Sequence, residues 1–138
     1  MFIREYTDLT EMARVGFVPV GTTDTVEVYV HTNDGGNTPH FHVRKYGRNG
    51  DFEWKTCVKY ESAEYFFHGK YKDKLPNKRI AKDLDKMLRT VDKADRHKRT
   101  YWEIAIDEWN RNNSSMILDL NIIQPDYTTL WGEPKNDT

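Results

Sequence analysis

The chain has a single cysteine, Cys57, among its 138 residues. One thiol cannot form an internal bridge, so a disulfide-stapled scaffold is excluded and a reducing compartment, the cytoplasm, is the expectation. Long apolar runs are missing too. Nowhere do about 18 apolar residues follow one another, which excludes a transmembrane helix of ordinary length. The opening stretch MFIREYTDLTEM brings charge in with Arg4 and Glu5 and holds no apolar run of about 7–15 residues, so a secretory signal is not expected in it. A phosphate-binding glycine loop is also absent, because Gly35-Gly36 sits in a polar turn with neither a following helix nor a Lys-Ser/Thr pair.

Apolar residues make up only 37% of the chain, and aromatics 13%, so burial must rest on a few large rings: four Trp, eight Tyr and six Phe. A length of this order fits one domain, 1–138, with one core burying roughly two-thirds of the unfolded surface. The net charge of -1 conceals an asymmetry. Between Lys70 and Arg99 stand 12 Lys or Arg against 5 Asp, which is +7 locally and -8 for the remainder. A basic surface facing an acidic partner, or nucleic acid, is one consequence; a solvated helix face is the plainer one.

Along the chain, Phe2 to Tyr6 reads as a short strand and Asp8 as the cap of a brief helix through Arg14, stopped by Gly16. From Val26 the period becomes two: Val26, Val28 and Val30 alternate with Glu27, Tyr29 and His31. Asn33 to Asn37 then supply a hairpin loop. Phe41 and Val43 share one face of the next strand and His40, His42 and Arg44 the other, before a turn at Gly47 to Gly50 and a third strand with Phe52, Trp54, Thr56, Val58 and Tyr60 alternating. Tyr65 to His68 fits either a further strand or a turn. Beyond Pro76 and Asn77, the residues Ile80, Leu84, Met87, Leu88 and Val91 recur at helical spacing. A second helix opens at Thr100, with Glu103 completing a capping box and Trp102, Ala105, Ile106 and Trp109 as its apolar face. Met116, Leu118, Leu120 and Ile122 alternate as a closing strand, and 126–138 reads as a polar tail unless Tyr127, Leu130 and Trp131 dock. The predicted fold is α+β: an antiparallel meander of three to five strands packed against two main helices. Its expected core is Val26, Val28, Val30, Phe41, Val43, Trp54, Val58, Ile80, Leu84, Leu88, Trp102, Ile106 and Trp109.

The run Val28-Tyr29-Val30, a polar turn, and Thr38-Pro39-His40-Phe41-His42-Val43 resembles the bacterial domain-of-unknown-function family 4160, whose hallmark is Pro-His-Phe-His-Val opening the second strand of a hairpin. Gly69 through Leu75-Pro76 before a helix, then Trp102 and Trp109-Asn110 on a second helix, fit as well. The resemblance covers about residues 26 to 113, leaving 1–25 as an N-terminal extension and 114–138 as an added strand and tail. It implies a small stand-alone α+β protein of bacterial or phage genomes, with toxin–antitoxin or mobile-element roles as the context, and it carries no agreed activity.

Four constellations hold chemistry. A His-x-His pair on a strand puts both imidazoles on one face about 7 Å apart, and pairing His31 with His40 across the hairpin would gather His31, His40 and His42 as ligands for a divalent transition metal. Glu27, Cys57 and His68 are the further donors on offer. The Pro-His-x-His run is similar to cupin metal motifs, but Arg44, Lys45 and Tyr46 stand where a carboxylate is expected. Acid–base chemistry could use His40 or His42, yet no Ser, Cys or Asp has a recognisable nucleophile context. Cys57 shares the face of Glu53 and Lys55, which predicts an accessible thiol. Finally Lys78, Lys82, Lys86, Arg89 and Lys93 follow helical spacing as a stripe for phosphate or acidic groups, without any base-reading motif. The balance is a non-catalytic interaction module that binds a protein partner, with no cofactor and no membrane association. A His-based metal-dependent enzyme such as a nuclease, or nucleic-acid binding through the basic helix, are the alternatives. A structural role for His40 and His42, bonded to turn carbonyls, is the expectation against which the metal site stands.

Overall fold

Alternating Val and polar residues dictate strands that hide one face, and the computed structural model, which describes residues 12–31, 38–47, 52–67, 76–113, 116–125 and 135–136, is built on them. Strands β1 (Met12–Val20), β2 (Asp24–His31), β3 (His40–Tyr46), β4 (Phe52–Lys59) and β5 (Tyr65–Phe67) form an antiparallel meander in chain order. The two residues of β6 (Lys135–Asn136) run parallel to β5, so this much of the expected tail docks. Helix α1 (Lys78–Leu88) lies against β1, and α2 (Tyr101–Asn112) crosses β1, β2 and β3. The α+β meander with two helices is therefore as the periodicity predicts, and every residue of the expected core is buried.

The expected helix through Arg14 is corrected where it is described: Met12 to Arg14 belong to β1. Ala13 pairs with Val30 and is wholly buried, and such cross-strand burial outweighs a weak local helix preference. The part of that helix before Met12, and the strand at Phe2 to Tyr6, lie outside the described residues. A bulge between Arg14 and Gly16 makes Val15 the extra residue and shifts the buried positions from Ala13 and Val15 to Gly16 and Val18. Gly16 is required there by space, since an added Cβ would lie 2.9 Å from the Tyr101 ring and 3.3 Å from Met87 Sδ.

Both helices begin as their sequences require. The Asn77 side chain accepts from the Ile80 N–H at 2.9 Å, with Pro76 just before it. The Thr100 hydroxyl accepts from the Glu103 N–H at 3.1 Å while the Glu103 carboxylate accepts from the Thr100 N–H at 2.8 Å. Helix α1 ends earlier than its stripe suggests: Val91 is exposed and bridges to Thr100, and Lys93 lies beyond the helix. The cause is local competition, with the Thr90 hydroxyl donating to the Lys86 carbonyl and Asp92 accepting from the Ala94 N–H.

The predicted closing strand is also corrected. Residues 116–125 are irregular, Leu118 is buried and Leu120 is 68% exposed. Its backbone groups are taken by side chains of α2 instead of by a ladder: Trp109 Nε1 donates to the Met116 carbonyl at 2.7 Å, Trp102 Nε1 to that of Ile122 at 3.2 Å, and Asn110 both donates to and accepts from Leu118. At the centre of the core, Tyr60 donates to the Ala105 carbonyl at 2.8 Å and meets Phe41, Trp102 and Trp109.

Candidate metal centre

The face of β2 and β3 turned from the valines is polar, and its centre is buried as well. Glu27, Tyr29, His40, His42 and Cys57 are each 7% exposed or less. Register sets this up: Tyr29 pairs with His42, and His42 pairs with Cys57 on the far side. Directly opposed residues share a face, so one imidazole is flanked by a phenol and a thiol.

Around His42 the rings crowd. Tyr29 stacks on it at 5.1 Å, while His31 and His40 tilt against it at 4.3 and 5.0 Å. Cys57 Sγ lies 3.4 Å from His42 Nδ1. His40 Nδ1 is 2.8 Å from the Thr38 carbonyl oxygen. A carbonyl only accepts, so Nδ1 carries the proton and the lone pair is on Nε2; with the His40 ring also 5.5 Å from that of Trp109, this is the turn-carbonyl bond expected of a structural histidine, and the same kind of bond orients a metal-binding one.

One donor atom from each of His40, His42 and Cys57 lies within 4.8 Å of the others. Within a triangle of that width some point is about 2.8 Å or less from all three corners, against ideal bonds of about 2.0–2.3 Å, so roughly half an ångström of side-chain adjustment closes the site. Two imidazoles and a thiolate suit zinc, copper, cobalt or nickel and do not suit magnesium or calcium.

The three histidines share a face as alternation predicts, but the donor set differs from the expected trio. Cys57 takes the third place, and His31 rests against the His42 ring. Cys57 is also not accessible: it is 3% exposed, with the His42 ring against its thiol. The pairing had a trace in the sequence, since a symmetric hairpin centred on Asn49-Gly50 sets position 57 opposite position 42. Glu27, another donor on offer, is committed elsewhere. Its carboxylate accepts from Arg14 at 2.6 Å and from Arg44 at 3.0 Å, and the Arg44 guanidinium lies 4.3 Å over the Tyr29 ring. Burial pushes the Tyr29 phenol far above its ordinary pKa, so it stays neutral beside the histidines. His68 lies outside the described residues.

The basic stripe is exposed at all five positions, but they are not equivalent. Arg89 caps α1, pairs with Asp85 at 3.0 Å and donates to the Gln124 and Pro125 carbonyls. Lys93 is off the helix, which leaves Lys78, Lys82 and Lys86 as one row on α1. Among the described residues no helix is long and apolar enough to cross a membrane. No family model matches the chain, and no curated protein or solved structure matches it.

Proposed function

We propose that this chain is a transition-metal-binding protein whose centre is His40, His42 and Cys57. The observation that carries the reading is the convergence of three buried donors of soft or borderline type within 4.8 Å. The Thr38 carbonyl on His40 Nδ1 adds to it, because it fixes the tautomer that keeps a lone pair on Nε2. Pro39 to Val43, the run behind the resemblance to family 4160, supplies two of the three donors. Metal binding would displace the thiol proton and tie β3 to β4.

Cobalt(II) titration tests the reading. Uptake of one equivalent with a thiolate-to-cobalt charge-transfer band, lost in Cys57→Ser at unchanged far-UV circular dichroism, is the expected result. A folded wild-type protein that takes up no cobalt(II), zinc(II) or copper(I) contradicts it.

A second reading, docking of an acidic protein partner of the mobile-element or anti-defence kind, is favoured by Lys78, Lys82 and Lys86. Among the described residues their ammonium groups face solvent without an ion pair. Charge alone would drive that contact, so it would weaken with salt.

A further inference from the structure

We infer that the ion this centre is built for is monovalent copper, held by His40, His42 and Cys57 in a three-coordinate arrangement. The inference rests on the metal-binding reading and sharpens it.

Charge is the first argument. Two neutral imidazoles and one thiolate carry -1 together, so a monovalent ion makes the buried centre neutral, whereas a divalent ion leaves it at +1. A net charge held in a site whose three donors are 2%, 7% and 3% exposed is costly.

Coordination number is the second. Among the described residues His40, His42 and Cys57 are the donors that converge, and zinc held by three protein ligands completes its tetrahedron with water or hydroxide. Here the rings of Tyr29, His31 and Trp109 lie against the two histidines, and the donors are withdrawn from solvent on a strand face, which is poor ground for a fourth, solvent-derived ligand. Copper(I) is satisfied by three donors and is drawn to thiolate.

The test is an anaerobic competition on the full chain, with copper(I) delivered from bicinchoninate and zinc(II) from a chromophoric zinc chelator. One equivalent of copper(I) should transfer, with a dissociation constant at least about a hundredfold below that for zinc(II). Cys57→Ser should lose copper(I) affinity by at least about a hundredfold, and His97→Ala, an exposed histidine between the helices, should not change it. X-ray absorption on the copper-loaded wild type keeps the test independent of any variant that fails to fold: a shell of two nitrogens and one sulfur is expected. Tighter or equal zinc(II) binding, or a four-coordinate or sulfur-free copper shell, overturns the copper assignment and leaves a metal centre standing. Uptake of neither ion overturns both.

Discussion

His42 shows how one residue acquires its surroundings from register alone. Its strand parity was legible from Phe41 and Val43, but its two partners depend on pairings across two hairpins, and a local pattern does not contain those. Asp95 is a second case in which the neighbours define the residue. Its carboxylate accepts from the Arg99 guanidinium at 2.9 and 3.1 Å and from the backbone N–H groups of His97 and Arg99. Bonding to Arg99, first through its side chain, holds this carboxyl well below the ordinary carboxylate range. A depressed folded-state pKa means that Asp95 stabilises the fold fully above its unfolded value of about 3.9, and that the contribution is lost as pH falls from there toward the folded value. Asp95→Asn should therefore lower the melting temperature at about pH 7, with the gap to wild type closing below about pH 4. Thermal melts across that range check it; a gap that does not depend on pH contradicts it.

Among the elements, α1, α2 and the middle strands could be read from the sequence because their caps and periods are local. Asn77, Thr100 and Glu103 each act within one helical turn. The two misread elements, β1 and the segment 116–125, depend on distant partners. The bulge in β1 breaks the alternation that would have marked it, and the Gly that reads as a helix stop is a contact point for α1 and α2. Gly16→Ala should destabilise the protein by about 1–3 kcal/mol through overpacking against Tyr101 and Met87, measured by denaturant unfolding; a neutral effect would mean that this contact yields freely. In the segment 116–125, alternation of Met116, Leu118, Leu120 and Ile122 imitates a strand, but its polar groups are satisfied by Trp102, Trp109 and Asn110. Asn110→Ala removes two partners of Leu118 and should cost about 1–3 kcal/mol, with faster amide exchange at Leu118. Unchanged exchange there would show that the indoles alone hold the segment.

In the whole molecule, the sheet has a dry apolar face beneath the helices and a polar face whose centre, at Glu27, Tyr29, His40, His42 and Cys57, is buried too, while Arg14, Phe17 and Glu53 on that face are exposed. That second face was the least legible feature. Alternation shows which residues share it, but not that solvent is kept from its centre, and so Cys57 reads as accessible until the sheet is assembled. On folding, Arg89 pairs with Asp85, and Arg99 with Asp95 and Asp107, while Lys78, Lys82 and Lys86 stand as one exposed row on α1. Changing all three to Glu should reduce binding to an acidic polypeptide by about tenfold or more at low salt, with wild-type binding itself falling steeply as salt rises. Binding that ignores both the substitution and the salt would remove this row as a docking surface; selective retention on duplex DNA would assign it to nucleic acid. Elemental analysis of the protein after anaerobic incubation with excess metal and desalting reads out whether His40, His42 and Cys57 hold a metal. About one transition-metal ion per chain, lost in His42→Ala and Cys57→Ser and kept in His97→Ala, is the predicted result; a folded wild-type chain that retains no metal would contradict it.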